Sequence, residues 1–301
     1  MPTPIIYCNG AYLPEAEARL SPFDLGVQFG DGVYEVVSAW KGVLFQLEAH
    51  LDRLEDGLHA TRIQAGLTRA DWRTVVAETA RRNGLADASV KIIVTRGMLP
   101  PGTTDPRAAT ATVIAFATPY GHIGTPEQRE RGIRLMVGHQ RGMAPDTLDP
   151  RYKHISRLQY QLARIEALES GYDDVVWLSA QGLVEEAPRS NVFLVKNGRL
   201  RTPALGVLHG ITHRTFCELA DELGVPLEIC GLTAFDLFSA DEVFTCSTSG
   251  AALPVREVSG RPVRGPVPGP VMTALNRLYW AKREAGWHGT PITGTPAPDR
   301  R

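Results

Sequence analysis

The 301 residues carry 32 basic and 33 acidic side chains, a formal net charge of −1, with 43% hydrophobic and 22% charged residues. That length exceeds one ordinary core and predicts two domains, and the even charge offers no basic stripe for nucleic acid or an acidic membrane surface. No run reaches the roughly 18 apolar residues of a spanning helix, and MPTPIIYCNG has neither the basic nor the apolar part of an export signal, so a cytoplasmic protein is expected.

IIYCNGAYLP reads as a hairpin, with Asn9-Gly10 supplying two positive-φ turn positions. GVYEVVSAW and VLFQL form a second strand pair around Lys41-Gly42. LEAHLDRLEDGLHAT then sets Leu47, Leu51, Leu54 and Leu58 at helical spacing, and another helix over 68–83 stops at Asn83-Gly84. VKIIVTRG and ATATVIAFA are β-rich runs on either side of the loop MLPPGTTDPR. Periodicity lapses through TPYGHIGTPEQRE, which predicts an interdomain linker at 118–130. It would separate a small N-terminal domain, 1–117, from a larger C-terminal one, 131–287.

In the second domain IRLMVGH is a strand, and Ile155, Leu158, Leu162, Ile165 and Leu168 line one face of a helix ending at Gly171. DDVVWLSA, LVEEA and NVFLVKNGRLRTP follow as strands, ITHRTFCELADELG as an amphipathic helix, and DEVFTCSTSG as a strand entering a loop. VMTALNRLYWAKREAG is the last helix, and 288–301 reads as a disordered tail. The order is α+β twice over, and chemistry is expected in a cleft between the domains.

Cys8, Cys217, Cys230 and Cys246 are scattered without CxxC spacing, so buried reduced thiols are expected and no metal site. Lysines are few: Lys41, Lys91, Lys153, Lys196 and Lys282. Lys41 and Lys196 adjoin hairpin turns and Lys282 lies on the polar face of the last helix. Lys91 begins an apolar strand, and Lys153 precedes a helix in DPRYKHISRLQY. Glu185 and Glu186 occupy a strand end in GLVEEAPRSNVFLV; alternation turns one of them inward, although a solvent-facing pair remains open. LHGITHRTF starts a helix whose amides at Ile211 and Thr212 would suit a phosphate, and CSTSG is a second hydroxyl-rich loop. A lysine, a downstream carboxylate and two phosphate-type loops together are what a pyridoxal 5′-phosphate site needs.

At these residues the chain resembles the fold-type IV, or class IV, pyridoxal-phosphate aminotransferases over nearly its whole length. LSPFDLGVQFGDGVYEVV with FQLEAHLDRL is most similar to D-amino-acid aminotransferases. KHISRL…LARIEALESGYDDVVWL…GLVEEAPRSNVFLV resembles the family core in order and spacing, and KHISRL alone is similar to aminodeoxychorismate lyase. The resemblance implies a two-domain enzyme in which Lys153 bonds the cofactor and moves the proton, and Glu186 pairs with its ring nitrogen. Arg53, Ile211, Thr212, Thr248 and Ser249 would hold the phosphate, Leu208 would pack on the ring, and Tyr34 would line the substrate pocket. It also implies a homodimer that moves an amino group from an amino acid, of D-configuration on this likeness, to a 2-keto acid.

There are departures. Pro188 replaces a small residue, His213 a Lys or Arg, and the loop from Thr202 to Leu208 is about one residue short. Pro101 and Thr103 stand where an arginine and a histidine usually hold the substrate carboxylate, and Ser38 where lysine is common. Lys91, Arg96 and Arg107 are the local cations that could take over, with Arg96 equally suited to pin its loop. Elimination of the lyase type and branched-chain transamination are the alternative activities, and a non-catalytic binding protein would require broken cofactor positions.

Overall fold

Asn9 and Gly10 both take positive φ, 47° and 95°, and close a hairpin that pairs β1 (Ile5–Cys8) with β2 (Ala11–Pro14). The computed structural model describes residues 3–292, and the chain divides into two compact units. The first holds residues 3–121, 152–157 and 285–292, and the second 122–151 and 158–284.

In the first unit β1 and β2 join β3 (Gly32–Trp40), β4 (Val43–Phe45), β5 (Ala88–Met98) and β6 (Thr110–Pro119). With the terminal strand Gly289–Pro291 they form one sheet in the order terminal strand, β4, β3, β5, β6, β1, β2. Val33, Val37 and Ala39 alternate along one face of β3 and pack with Val90, Ile92 and Val94 against the helices Leu47–Thr61 and Arg69–Arg82. Leu47, Leu51, Leu54 and Leu58 supply one side of that core and Trp72, Val75 and Val76 the other. Thr68 starts the second helix through a reciprocal cap with Asp71.

Two boundaries differ from the sequence reading. Gly289–Pro291 pairs with β4 and Ile292 is buried in the core, so the tail expected from 288 is ordered through 292; residues 293–301 lie outside the described range. The apolar anchor is a single isoleucine among Gly, Thr and Pro, too little to stand out from composition. The stretch 118–130 contains the end of β6 and most of the helix Pro126–Arg131, whose cap joins Thr125 to Gln128. The chain also returns to the first unit at 152–157.

The second unit contains β7 (Ile133–Arg141), β8 (Asp174–Leu178), β9 (Asn191–Lys196), β10 (Arg199–Pro203), β11 (Leu227–Cys230), β12 (Glu242–Ser247) and β13 (Ala251–Val258). Their order is β11, β10, β9, β12, β13, β7, β8, parallel at β10–β11, β13–β7 and β7–β8 and antiparallel elsewhere. Every residue of β8 is buried, Asp174 included, as befits a strand whose Val175–Leu178 run is apolar without alternation. Phe193, Phe244, Phe216 and Tyr279 make an aromatic stack joining β9 and β12 to the helices Ile211–Glu222 and Pro270–Glu284.

The helix expected after Lys153 begins only at Leu158 and runs to Glu169. It buries Tyr160, Ala163 and Ala167 against Met136, Val175 and Trp177. Its leucine and isoleucine stripe faces outward instead: Leu158 is 73% exposed, Leu162 46%, Ile165 49% and Leu168 48%. Spacing identified the stripe but not which side the sheet takes. LVEEA, expected as a strand, makes isolated bridges at Leu183, Val184 and Ala187 in place of a continuous ladder. Among the described residues no helix is long and apolar enough to cross a membrane.

Candidate active site

Lys153 sits on the free edge of β3. The Tyr34 amide donates to the Lys153 carbonyl at 3.0 Å and the Ile155 amide to the Gly32 carbonyl at 3.0 Å, so 153–155 act as one more short strand. The Ser156 hydroxyl ties the far end to the Gly30 carbonyl at 2.7 Å. Lys153 itself has φ 48°, a left-handed conformation that costs a non-glycine residue about 1 kcal/mol or more and persists only where neighbouring bonds impose it.

That backbone aims the amine inward. Nζ lies 4.7 Å from the Tyr34 ring centroid and 4.0 Å from Glu35 Oε1, and the side chain is 15% exposed. Burial lowers the proton affinity of the amine, with Arg53 and Arg157 acting the same way and Tyr34 and Glu35 opposing them. Arg53, one helical turn beyond His50, donates from Nη2 to both Glu35 oxygens at 2.8 and 2.9 Å, and His50 Nδ1 meets Glu35 Oε2 at 2.5 Å. Burial alone would raise the Glu35 carboxyl, but Arg53 and His50 outweigh it and bring its pKa down to about 2. His50 is lowered by its own burial, which favours the neutral ring, and its Nδ1–H donates a hydrogen bond to the Glu35 carboxylate.

Glu35 and His50 were missed from sequence, although a signal existed. Glu35 interrupts the buried row Val33, Val37, Ala39, and His50 lies in the buried face of the Leu47–Thr61 helix. Lys91 stands 4.9 Å from the same Tyr34 ring. The strand register explains this: Tyr34 pairs with Ile93 and Val36 with Lys91, so Tyr34 and Lys91 are diagonal neighbours on one face. Burial would raise the Tyr34 hydroxyl, yet Lys153, Arg157 and Lys91 together lower it. Three cations therefore act on this one ring.

Arg96 and Arg107 are occupied elsewhere. Arg96 grips Asp31 through Nε at 2.5 Å and Nη2 at 3.0 Å and donates to the Thr61 carbonyl at 3.0 Å, so it is the loop pin. Arg107 is 82% exposed and paired with Asp105. Both line a cavity of about 470 Å³ with Asp31, Thr61 and Arg62, whose walls do not include Lys153, Tyr34 or Lys91. Two other lysines fall to structural duties: Lys196 binds the Ser239 carbonyl and Asp241, and Lys282 binds Glu222.

In the second unit Glu185 and Glu186 are both buried, at 3% and 5% exposure, so they are not a solvated pair. Glu186 Oε2 accepts the Leu208 amide at 2.8 Å, and Asn191 Nδ2 donates to the Leu208 carbonyl at 2.9 Å. Leu208 is thereby clamped by the acid and by the asparagine five residues beyond it. Glu185 presses on Gly142 and Gly206, where a Cβ would collide with its carboxylate, and burial beside Glu186 pushes its pKa up to about 7. Gly210 is equally constrained, since a Cβ there would strike Asn191 Oδ1.

Gly210 opens the helix Ile211–Glu222 without any side-chain cap, and Ile211 and Thr212 are buried. The first-turn amides have no partner within a helix, so a buried, uncapped start suits a phosphate. Thr248 and Ser249 lie in the turn joining β12 and β13, where Ser249 is held by Ser247 and by the Ile123 amide. His213 does not serve as a phosphate cation. It stacks on Phe193 at 4.9 Å, bonds Thr202 at 3.0 Å, and burial lowers it to about 4. Considered unit by unit, these groups have the chemistry pyridoxal phosphate calls on: a desolvated amine in the first, a buried carboxylate and an uncapped helix start in the second.

The profile described as Amino-transferase class IV matches residues 32–258. A Methanocaldococcus jannaschii protein, provisionally named a branched-chain-amino-acid aminotransferase, is 36% identical over 276 residues, 91% of this chain and 94% of its own length. The D-alanine aminotransferase of Bacillus licheniformis is 30% identical over 275 residues, 89% and 94% of the two chains. The Escherichia coli branched-chain amino acid aminotransferase structure superposes with a TM-score of 0.90 at 27% identity, covering 97% of this chain and 100% of that one. The α+β architecture expected from the sequence is thus the fold-type IV arrangement, and this chain belongs to the class IV aminotransferases.

Proposed function

We propose that Lys153 is the lysine that bonds the cofactor and moves the substrate proton, and that Glu186 holds the proton on the cofactor ring nitrogen. Class IV aminotransferases work with pyridoxal 5′-phosphate, which supplies an aldehyde to receive the amino group and a ring to take up electrons. The observation carrying this reading is the buried, desolvated Lys153 amine on a backbone locked in a left-handed conformation. A lysine amine must lose its proton before it acts as a nucleophile or base, and burial favours that loss. Arg53, the Ile211 and Thr212 amides, and Thr248 and Ser249 take the phosphate, while Leu208 packs on the ring.

Tyr34 lines the substrate side and Lys91 receives the substrate carboxylate, in place of the arginine and histidine that Pro101 and Thr103 do not supply. The face they share supports this, because its tyrosine is held low by surrounding cations. The donor is proposed as a branched-chain amino acid, on the names of the relatives in M. jannaschii and E. coli. A D-amino acid is the second reading, favoured by the B. licheniformis relative and by the GVYEVV stretch. The protein is further proposed to be a cytoplasmic homodimer. Supporting self-association, Leu158, Leu162, Ile165 and Leu168 form an exposed apolar stripe that a second chain would cover.

Half-reactions decide the donor. Pyridoxal-phosphate-loaded protein is mixed with D- and L-forms of alanine, valine, leucine and glutamate, and loss of the visible cofactor band is followed. Conversion by L-leucine and L-valine is the expected result; conversion by D-alanine alone would establish the second reading. Pyruvate release from aminodeoxychorismate without an amino acceptor would mark elimination instead of transfer.

A further inference from the structure

Glu35 is a carboxylate with no exposure, in a row of β3 that is otherwise apolar. An ionised carboxylate so placed is costly unless every oxygen is met by a donor or a cation. Here His50 takes one oxygen, Arg53 takes both through a single nitrogen, and the Lys153 amine stands 4.0 Å from Oε1. The backbone strengthens the association, since the amide of Tyr34, next to Glu35, donates to the carbonyl of Lys153. The two side chains therefore start from adjacent backbone segments joined by hydrogen bonds, which limits how far apart they can move.

We propose that Glu35 is a positioning residue for Lys153: a buried counter-charge, fixed by His50 and Arg53, that governs how readily the amine takes and gives up its proton. This rests on the assignment of Lys153 as the reacting lysine. The charged and titratable groups facing Glu35 are His50 and Arg53 from the Leu47–Thr61 helix and Lys153 from the edge segment. Those acting on Lys153 are Tyr34, Arg53, Glu35 and Arg157. Arg53 and Arg157 drive the proton off and Glu35 holds it on, so the acid tempers two arginines. Without it the amine would lose its proton readily but regain it poorly, and a group that must shuttle a proton needs both directions.

The test uses full-length protein loaded with pyridoxal phosphate and reads the pH midpoint of the visible cofactor band. Glu35→Gln removes the negative charge at nearly constant shape, so the midpoint should move to lower pH by about one unit or more. Glu35→Asp keeps the charge but withdraws it by one methylene, and should move the midpoint the same way by less. Far-ultraviolet circular dichroism and cofactor stoichiometry are recorded on each variant. Removing the acid leaves Arg53 without its partner, so Glu35→Gln could prove insoluble. In that case Glu35→Asp and His50→Gln carry the decision, since both retain the charge and loosen its placement.

An acid shift in the variants that fold supports the proposal, and a midpoint unchanged in all of them overturns it. Lys153→Ala separates the two levels of inference. If that variant keeps the visible band, the assignment of Lys153 fails whatever Glu35 does. If it loses the band while the Glu35 and His50 variants leave the midpoint in place, the role given to Glu35 alone is wrong.

Discussion

The two units build their candidate site residues from different materials. Around Lys153 the first unit gathers ionisable side chains, Glu35, Arg53, Tyr34, Lys91 and Arg157, whose charges act on one another. Around Glu186 the second unit works mainly through backbone: the Leu208 amide, the uncapped start of the Ile211–Glu222 helix, and glycines at 206 and 210 where no Cβ fits. A site made of charges is tuned by pH and by isosteric substitution. A site made of backbone is tuned by shape, so the two should fail in different ways.

The largest effect is expected at Lys153, the amine proposed to react. Lys153→Ala should lower turnover on the order of 10⁴-fold or more and abolish the visible cofactor band, with circular dichroism unchanged. Residual turnover near the wild-type rate would remove the charged half of the comparison.

Next comes Glu185, a strongly shifted carboxylic acid of the second unit. Glu185 titrates at about 7 in the folded protein against 4.5 for the free side chain, so folding favours its protonated form. Stability is then greatest below pH 4.5 as far as this group is concerned, and is lost as pH rises through 7. Glu185→Gln should therefore gain about 2–3 kcal/mol over wild type above pH 7 and little below pH 4.5, read by urea denaturation at several pH values. A gain that did not depend on pH would mean the carboxyl is ionised throughout.

Gly210→Ala tests the backbone half directly. The added methyl meets Asn191, and a loss of about 1–3 kcal/mol is expected, together with weaker cofactor binding and an unchanged pH midpoint. A moved midpoint would blur the distinction between the units. The smallest effect belongs to Arg96→Ala, which removes the Asp31 pair and should cost about 1–2 kcal/mol in stability with the order of preferred donors unchanged. A reordered donor panel would return Arg96 to the substrate side.

The sequence was informative where local rules dominate. The hairpin at Asn9-Gly10, the leucine spacing of Leu47–Thr61 and the buried run Asp174–Leu178 follow from turn chemistry and periodicity, and all are present. It misled where a long-range partner decides. The stripe from Leu158 to Leu168 has helical spacing, but the sheet takes the other side of the helix, where Tyr160, Ala163 and Ala167 pack on Met136, Val175 and Trp177. The return of 152–157 to the first unit left no compositional trace, as its partner is the edge of a strand more than a hundred residues earlier.

The site divides in the same way. The family resemblance assigned Lys153, Arg53, Tyr34, Glu186 and Leu208 to one site; the structure sets Lys153 beside Tyr34 and bonds the Leu208 amide to Glu186, a contact the resemblance did not include. Arg96 and Arg107 were selected because they are cations in the right loop, and only the structure shows Asp31 and Asp105 holding them. Glu35 and His50 were overlooked because a charged residue in an amphipathic pattern reads as solvent-facing. Its alternation with Val33 and Val37 carried the contrary signal.

The most direct measurement is chemical trapping. Protein loaded with pyridoxal phosphate is reduced with borohydride, digested, and the modified peptide sequenced by mass spectrometry. The phosphopyridoxyl group is expected on the peptide containing Lys153, at one equivalent per chain. Its appearance on Lys91, or spread over several surface lysines, would contradict the account.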